Sequence, residues 1–257
     1  MKQLFALLFV VVSFVGAQIE IDDLVLEGSK QIEAGWSSFN KQIMMDARSK
    51  FERAVNADSE NKYAIYYLAY AEYRLLTQAF SKNDYATFDQ MIDDAIAHCE
   101  KAIELSNRWS EPKAILSALY GYKITKNWMS AITLGPKSNG LIEEALEKEP
   151  NNPRVLLIRG ISYFSKPSMF GGSVDKALED FEKSVRLFEL QKEVFTLDPA
   201  WGYTDALAWL GKAYEQKEMN DKALEAYKKA LAVNPAYGWV KYNLLPKLEN
   251  KLTAKTE

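Results

Sequence analysis

Small and aromatic residues recur at fixed spacing between residues 204 and 235, and this pattern constrains the fold more than any other part of the sequence. Its eight positions are Leu207, Leu210, Gly211, Tyr214, Ala223, Tyr227, Ala230 and Pro235. The small Gly211 and Ala223 allow two antiparallel helices to approach closely, and Tyr214 and Tyr227 fill the space beside them. Pro235 cannot continue a helix. The segment therefore predicts a pair of packed antiparallel helices.

This spacing resembles the tetratricopeptide repeat, a two-helix unit that stacks with its copies into a solenoid. Leu207 is the one departure, because the family usually has Trp at that position. The resemblance implies an architecture, and it does not indicate a partner.

Weaker copies of the pattern precede the clear one. We place the five copies at residues 28–61, 62–107, 110–150, 153–193 and 204–235, followed by a cap at residues 237–252. In the first copy, Ala34 and Gly35 are predicted to mark the close approach. Hydrophobic periodicity is helical almost throughout, and no long segment alternates with a period of two. The predicted fold is an all-α solenoid of about five tetratricopeptide-like helix pairs with a C-terminal capping helix.

Local signals predict how the second and third copies differ from the clear one. Extra residues separate the two helices of the second copy, so either its first helix is long or the turn at residues 81–84 carries an excursion. Ser110 is predicted to cap the third copy's first helix. Residues 134–140 are predicted to form a loop because of their Gly, Pro and Asn content, which leaves a short second helix from about Asn139 to Glu149.

The fourth copy and the cap carry further predictions. Residues 166–172 are predicted to form an insertion, after which Ser173 caps a helix that continues towards Glu193. Pro246 is predicted to break the final helix. Four charged residues are expected to face solvent and keep the solenoid end soluble: Lys241, Lys247, Glu249 and Lys251.

The N-terminus has the pattern of a secretory signal: Lys2, an apolar run over residues 4–15, and the small pair Gly16-Ala17. We predict a signal peptide at residues 1–17, cleavage after Ala17, and a helical repeat domain at residues 18–257 in the periplasm or outside the cell. An uncleaved anchor is the alternative. Residues 151–154 and 170–172 also resemble exported bacterial repeat proteins. Stable membrane insertion after cleavage is not expected.

Composition and charge argue against several functional classes. The net charge of −3 does not favour a nucleic-acid surface. One histidine, His98, cannot form a metal site, and we expect it to face solvent. Cys99, the single cysteine, is expected to be buried on the packed face of its helix. No cofactor and no enzymatic activity are indicated.

Four tyrosines lie on one face of the first helix of the second copy: Tyr63, Tyr66, Tyr70 and Tyr73. Arg74 follows them. In tetratricopeptide proteins the first helices line a concave surface that contacts ligand, so the resemblance implies an aromatic groove. Applying that register to the other copies adds Trp36, Phe39, Asn40, Tyr122, Arg154, Phe164 and Lys212. The alternative is that the tyrosines pack between repeats.

Three functions follow from this pattern. The first is a non-enzymatic binding scaffold in the cell envelope that holds a protein or peptide in the concave groove. The second is a small-molecule or glycan binder associated with transport, in which the inserted loops close an aromatic pocket. The third is an assembly module that binds through the outside of its last helix, where Trp239, Tyr242 and Leu245 are candidates. The sequence does not determine the oligomeric state.

Overall fold

The protein is helical throughout the part that the computed structural model describes, which comprises residues 2–107, 109–191 and 197–254, with side chains from residue 20 onward. The α-helices are α1 (Lys2–Ser37), α2 (Lys41–Ala57), α3 (Lys62–Ser81), α4 (Tyr85–Leu105), α5 (Glu111–Lys126), α6 (Ala131–Lys148), α7 (Pro153–Ser165), α8 (Val174–Leu190), α9 (Tyr203–Gln216), α10 (Asn220–Val233) and α11 (Leu245–Thr253). Trp128–Ser130 and Ser168–Phe170 are short 3-10 turns, and Val240–Leu244 is a π-helical turn. These described segments contain no β-strand. The predicted all-α fold of tetratricopeptide-like helix pairs is confirmed.

The helices fall into two compact units. Unit 1 contains α1 as far as Trp36, α2 to α4, and residues 197 and 198. Unit 2 contains α5 to α11 together with residues 37–40. Within unit 1, α3 packs against both α2 and α4. Within unit 2 the pairs are α5 with α6, α7 with α8, and α9 with α10.

A glycine covered by an aromatic ring allows the close approach in three of the copies. A Cβ placed on Gly211 would lie 2.2 Å from Cε1 of Tyr227, and one on Gly160 would lie 2.5 Å from Cε1 of Phe181. In the first copy the glycine beneath the ring of Phe51 is Gly28. Of the predicted pair, Gly35 does lie at a close approach, since a Cβ there would be 2.7 Å from Cγ of Met44, but the prediction for Ala34 is wrong because that residue is exposed. Ala223 is fully buried, as the repeat spacing predicts.

Two helical glycines with different surroundings test this packing. We expect Gly211→Ala to lower the free energy of unfolding by about 1–3 kcal/mol, because the new methyl group overlaps the ring of Tyr227. Gly121 on α5 is the matched control, since a Cβ there would meet nothing within 4 Å. Gly121→Ala should raise stability by about 0.5–1 kcal/mol through helix propensity alone. Urea denaturation measures the change in the free energy of unfolding for each variant. A change of the same sign in both would contradict the packing of Gly211 against Tyr227.

For the second copy the structure shows the long-helix alternative, whereas the third copy differs from its prediction. Both α3 and α4 are long, and they take up the extra residues without an excursion in the turn. The predicted loop at residues 134–140 is wrong, because α6 begins at Ala131 and contains Pro136. The helix persists because Ser117 and Ser138 exchange hydrogen bonds that hold α6 on α5, at 2.8–3.0 Å. Pro136 is exposed, so water can bond the carbonyl group that the proline leaves unpaired.

Helix ends depart from prediction at three other places. Ser110 makes no side-chain cap, and its hydroxyl group instead donates to the carbonyl of Ala145 at 3.0 Å. The helix α8, which Ser173 caps as predicted, ends at Leu190. Pro246 does not break the final helix, because a π-helical turn precedes it and the Leu245 N–H donates to the Val240 carbonyl. The four charged residues predicted to face solvent are all exposed: Lys241, Lys247, Glu249 and Lys251.

The predicted signal peptide lies outside the residues whose side chains are described. The backbone of residues 2–19 is helical as part of α1, and Met1 is not described. Cleavage after Ala17 therefore stays a prediction. No helix in the described part of the chain is both long enough and apolar enough to cross a bilayer.

Candidate binding surface

The tyrosines of α3 lie mostly inside unit 1. Tyr66 and Tyr70 are fully buried with their rings stacked at 6.3 Å, and Tyr73 is 5% exposed. Tyr63 is half-buried and donates to Asp198 at 3.0 Å. This placement corresponds to the packing alternative, and a ligand-binding role for the four residues stays a prediction.

Two further predicted site residues, Arg74 and Trp36, are also buried. The Arg74 Nε atom donates to the Tyr70 hydroxyl group at 2.7 Å, and its guanidinium carbon lies 4.4 Å from the centre of the Trp36 ring. Trp36 is itself buried. Arg74 and Trp36 therefore stabilise the interior of unit 1 through a cation–π contact.

Arg154 has a similar position in unit 2. It is 4% exposed, and its guanidinium carbon lies 5.3 Å from the Phe188 ring. Within the described residues, neither its Nε atom nor Oε2 of the buried Glu111 has a hydrogen-bond partner. Burial raises the pKa of Glu111, although Asn152 and Arg154 oppose that shift. Arg154 thus contributes to a buried polar region.

Two of the predicted site residues, Phe164 and Lys212, meet at a partly exposed surface of unit 2. Phe164 lies in the last turn of α7, and Lys212 lies on α9 three residues after Trp209. The Trp209 ring lies 5.6 Å from Phe164 and 5.2 Å from Trp239, measured between ring centres. The Lys212 Nζ atom lies 4.3 Å from the Trp209 ring, 5.2 Å from Trp239 and 5.4 Å from Phe164. We call these four residues the aromatic–lysine cluster.

The sequence analysis did not include Trp209 and placed Trp239 on a different surface. The signal that would have found Trp209 is its i,i+3 spacing to Lys212, which puts both side chains on one face of α9. All four members of the cluster are half-buried, so each still has some surface open to solvent.

The cluster combines aromatic faces with a partly desolvated cation. Burial lowers the pKa of Lys212, Glu215 opposes this shift, and the positive charge of Lys247 lowers the pKa further. Aromatic rings offer a large, rigid contact area, and a lysine ammonium beside them can bind a carboxylate. The arrangement therefore suits a ligand that carries an apolar group next to an anion.

The remaining predicted residues lie elsewhere in unit 2. Phe39 is half-buried against Gly238, the residue before Trp239. Asn40 is exposed, and Tyr122 is half-buried on α5. The roles of these three residues in binding stay predictions.

His98 does not simply face solvent, which corrects the sequence prediction. Its Nδ1 atom lies 2.7 Å from Oε2 of the fully buried Glu72, and Glu72 also accepts hydrogen bonds from Arg48. Burial by itself lowers the pKa of His98, but the hydrogen bond and the negative charge of Glu72 outweigh it, so the pKa is raised. Cys99 is fully buried as predicted, and burial raises the pKa of its thiol.

The raised pKa of His98 predicts a pH-dependent contribution to stability. A group whose pKa is higher in the folded state stabilises the fold below its unfolded pKa of about 6.5, and this contribution is lost as pH rises through the folded value. We therefore expect His98→Gln to lower the free energy of unfolding more at pH 6 than at pH 9. Denaturation of both proteins at the two pH values measures this, and an equal loss at both would contradict the pairing with Glu72.

The comparisons with known proteins identify the repeat. A family model described as the tetratricopeptide repeat matches residues 204–237, which contain α9 and α10. The comparison with curated proteins found no match. Among solved structures, the chain is similar to the HusA haemophore from Porphyromonas gingivalis, with 26% identity and a TM-score of 0.62, over 74% of this chain and 92% of HusA.

A second solved structure, TTC0263, a thermophilic TPR protein of Thermus thermophilus, shares the fold. It is 17% identical, with a TM-score of 0.57, over 88% of this chain and 97% of that one. The family match covers the clear repeat, and the likeness in fold extends over most of the chain. The chain therefore contains a tetratricopeptide repeat at residues 204–237, within a fold similar to that of a tetratricopeptide repeat protein.

Proposed function

We propose that the protein is a non-enzymatic binding scaffold of the cell envelope, and that it holds a protein or peptide partner on the aromatic–lysine cluster. The repeat fold supports the scaffold role, because solenoids present extended surfaces to which chains can bind. The signal-like N-terminus supports the placement in the envelope. The observation that carries the proposal is the Lys212 ammonium group, which lies within 5.4 Å of three partly exposed rings from different parts of unit 2.

The chemistry of the cluster defines the class of partner. An aspartate, a glutamate or a C-terminal carboxylate would pair with Lys212, and a neighbouring apolar side chain would pack on the indole rings of Trp209 and Trp239. The indole rings lose little conformational entropy on binding, since each has only two side-chain torsions.

Selection from a random peptide library tests this role. We expect the selected peptides to carry a carboxylate beside an apolar residue, and Lys212→Gln to weaken their binding at least about tenfold, the effect of losing about 1.4 kcal/mol. Lys241→Gln is the matched control, because Lys241 lies 5.5 Å from the ring of the exposed Tyr242, outside the cluster. Selected peptides that bind both variants equally would contradict the proposal.

A second candidate is a flat, apolar small molecule with carboxylates, of which haem is an example. The similarity to HusA, a haemophore, favours it, because the match covers 92% of that protein at 26% identity. An aromatic platform with a lysine also fits this chemistry, since the rings would stack on the macrocycle and the ammonium would bind a propionate.

Titration with hemin distinguishes the two candidates. Saturable quenching of tryptophan fluorescence that Lys212→Gln weakens and Lys241→Gln leaves unchanged would support the small ligand. If hemin also displaces a selected peptide, both ligands use the same surface. Hemin binding that is unaffected by Lys212→Gln would exclude the cluster as a hemin site.

A further inference from the structure

Five large apolar side chains of unit 2 are exposed to solvent in two short segments. Trp128, Met129 and Ile132 lie between the end of α5 and the first turn of α6, and Met169 and Phe170 lie in the 3-10 turn between α7 and α8. Their exposed fractions range from 61% to 81%. Side chains of this size are costly to leave in water, so their grouping calls for an explanation.

The topology of unit 2 places the two segments at one edge. Ser110 at the start of α5 contacts Ala145 near the end of α6, so these helices are antiparallel. The short connection to α7 then returns the chain to the start of α5, and α7 packs against α5. The C-terminal ends of α5 and α7 therefore lie at the same edge. We call the five exposed residues the apolar edge.

A hydrogen bond between the second exposed segment and α6 supports this placement. The Lys166 Nζ atom, just before the second 3-10 turn, donates to Oδ1 of Asn139 on α6 at 2.9 Å. The two exposed segments thus belong to neighbouring, connected parts of unit 2.

Positive charge accompanies the apolar edge. The chain has a net charge of −3, yet residues 112–142 and residues 150–174 contain no aspartate or glutamate. Four lysines lie within five residues of the apolar edge in the sequence: Lys123, Lys126, Lys137 and Lys166. Asp175 at the start of α8 is the first acidic residue to follow, and it forms an ion pair with Lys217 at 2.6 Å.

We propose that the apolar edge docks on the surface of an anionic lipid bilayer. The exposed side chains lie in two short 3-10 turns and the adjoining first turn of α6, and an exposed Trp or Phe can enter the interface between headgroups and acyl chains. The lysines beside them match negatively charged lipid headgroups. Apolar insertion and electrostatic attraction together give reversible peripheral binding, which requires no spanning helix.

A fluorescent probe at the edge tests docking in the full chain. Ser168→Cys, labelled with the environment-sensitive dye NBD, reports on the edge, and Asn243→Cys in the π-helical turn is the control site, since both positions are exposed and Cys99 is buried. With vesicles of phosphatidylcholine and 30% phosphatidylglycerol, we expect the emission of the dye at position 168 to shift to the blue and increase at least twofold. The emission of the dye at the control site should change little, whether or not the N-terminal segment anchors the chain.

Two further variants identify the source of the attraction. Lys126→Gln with Lys137→Gln should weaken the response at least fivefold, as should 0.5 M salt or pure phosphatidylcholine vesicles. Trp128→Ser with Phe170→Ser should abolish it, whereas Tyr242→Ser, which removes an aromatic side chain that is 75% exposed, should not. No response at the edge, or equal responses at the edge and the control site, would overturn the proposal. The absence of any response would favour a protein partner for the edge.

Discussion

Ala223→Asp is expected to unfold the C-terminal repeat. Ala223 is fully buried where α10 packs against α9, so an aspartate there would be a buried charge without a partner. Such a charge costs about 3–5 kcal/mol, or the carboxyl group takes up a proton at a comparable cost. Thermal and urea denaturation followed by circular dichroism should show a large loss of stability.

Ala232 provides the control on the same helix. It is exposed, and Ala232→Asp should cost about 1 kcal/mol, because Asp has a lower helix propensity than Ala and adds a negative charge near the C-terminal end of a helix. If Ala223→Asp melts like the wild-type protein, the repeat register assigned to α9 and α10 is wrong.

Glu72→Ala should destabilise unit 1 by a similar amount. The Glu72 carboxylate is fully buried, accepts hydrogen bonds from Arg48 at 2.8 and 3.1 Å, and lies 2.7 Å from His98. Removing it leaves Arg48 and His98 without their shared anion, and breaking a buried pair typically costs about 3–5 kcal/mol. Urea denaturation at pH 7 measures the change.

Glu52 is the matched control, since it binds the same guanidinium group at 2.7 Å but its side chain is 41% exposed. Glu52→Ala should cost about 0–1 kcal/mol, because water screens the pair. Equal losses for the two variants would show that the burial of Glu72 has no energetic consequence.

The fold was predictable where packing depends on residues close in sequence. Gly211 and Tyr227 belong to one helix pair, and their spacing in the sequence is enough to predict that the glycine lies beneath the aromatic ring. Pro136 misled the prediction for α6, because local propensity favours a loop there. The serine pair that holds the helix, Ser117 and Ser138, depends on a contact with α5.

The candidate site was only partly predictable, for a related reason. Helical spacing puts Tyr66 and Tyr70 on one face, but the same spacing occurs on buried and exposed faces. Which face is buried depends on the neighbouring helices, and these bury α3 on nearly every side. The aromatic–lysine cluster joins residues from three separate parts of unit 2, and no local pattern brings Trp239 next to Trp209.

The most direct test of the binding role is an NMR measurement of the tryptophan indole N–H signals while a library-selected peptide is added. The chain has six tryptophans, and single Trp→Phe variants assign their signals. We predict that the signals of Trp209 and Trp239 shift on binding while that of Trp36, buried in unit 1, stays unchanged. Peptide binding that leaves Trp209 and Trp239 unperturbed would contradict the assignment of the aromatic–lysine cluster as the binding surface.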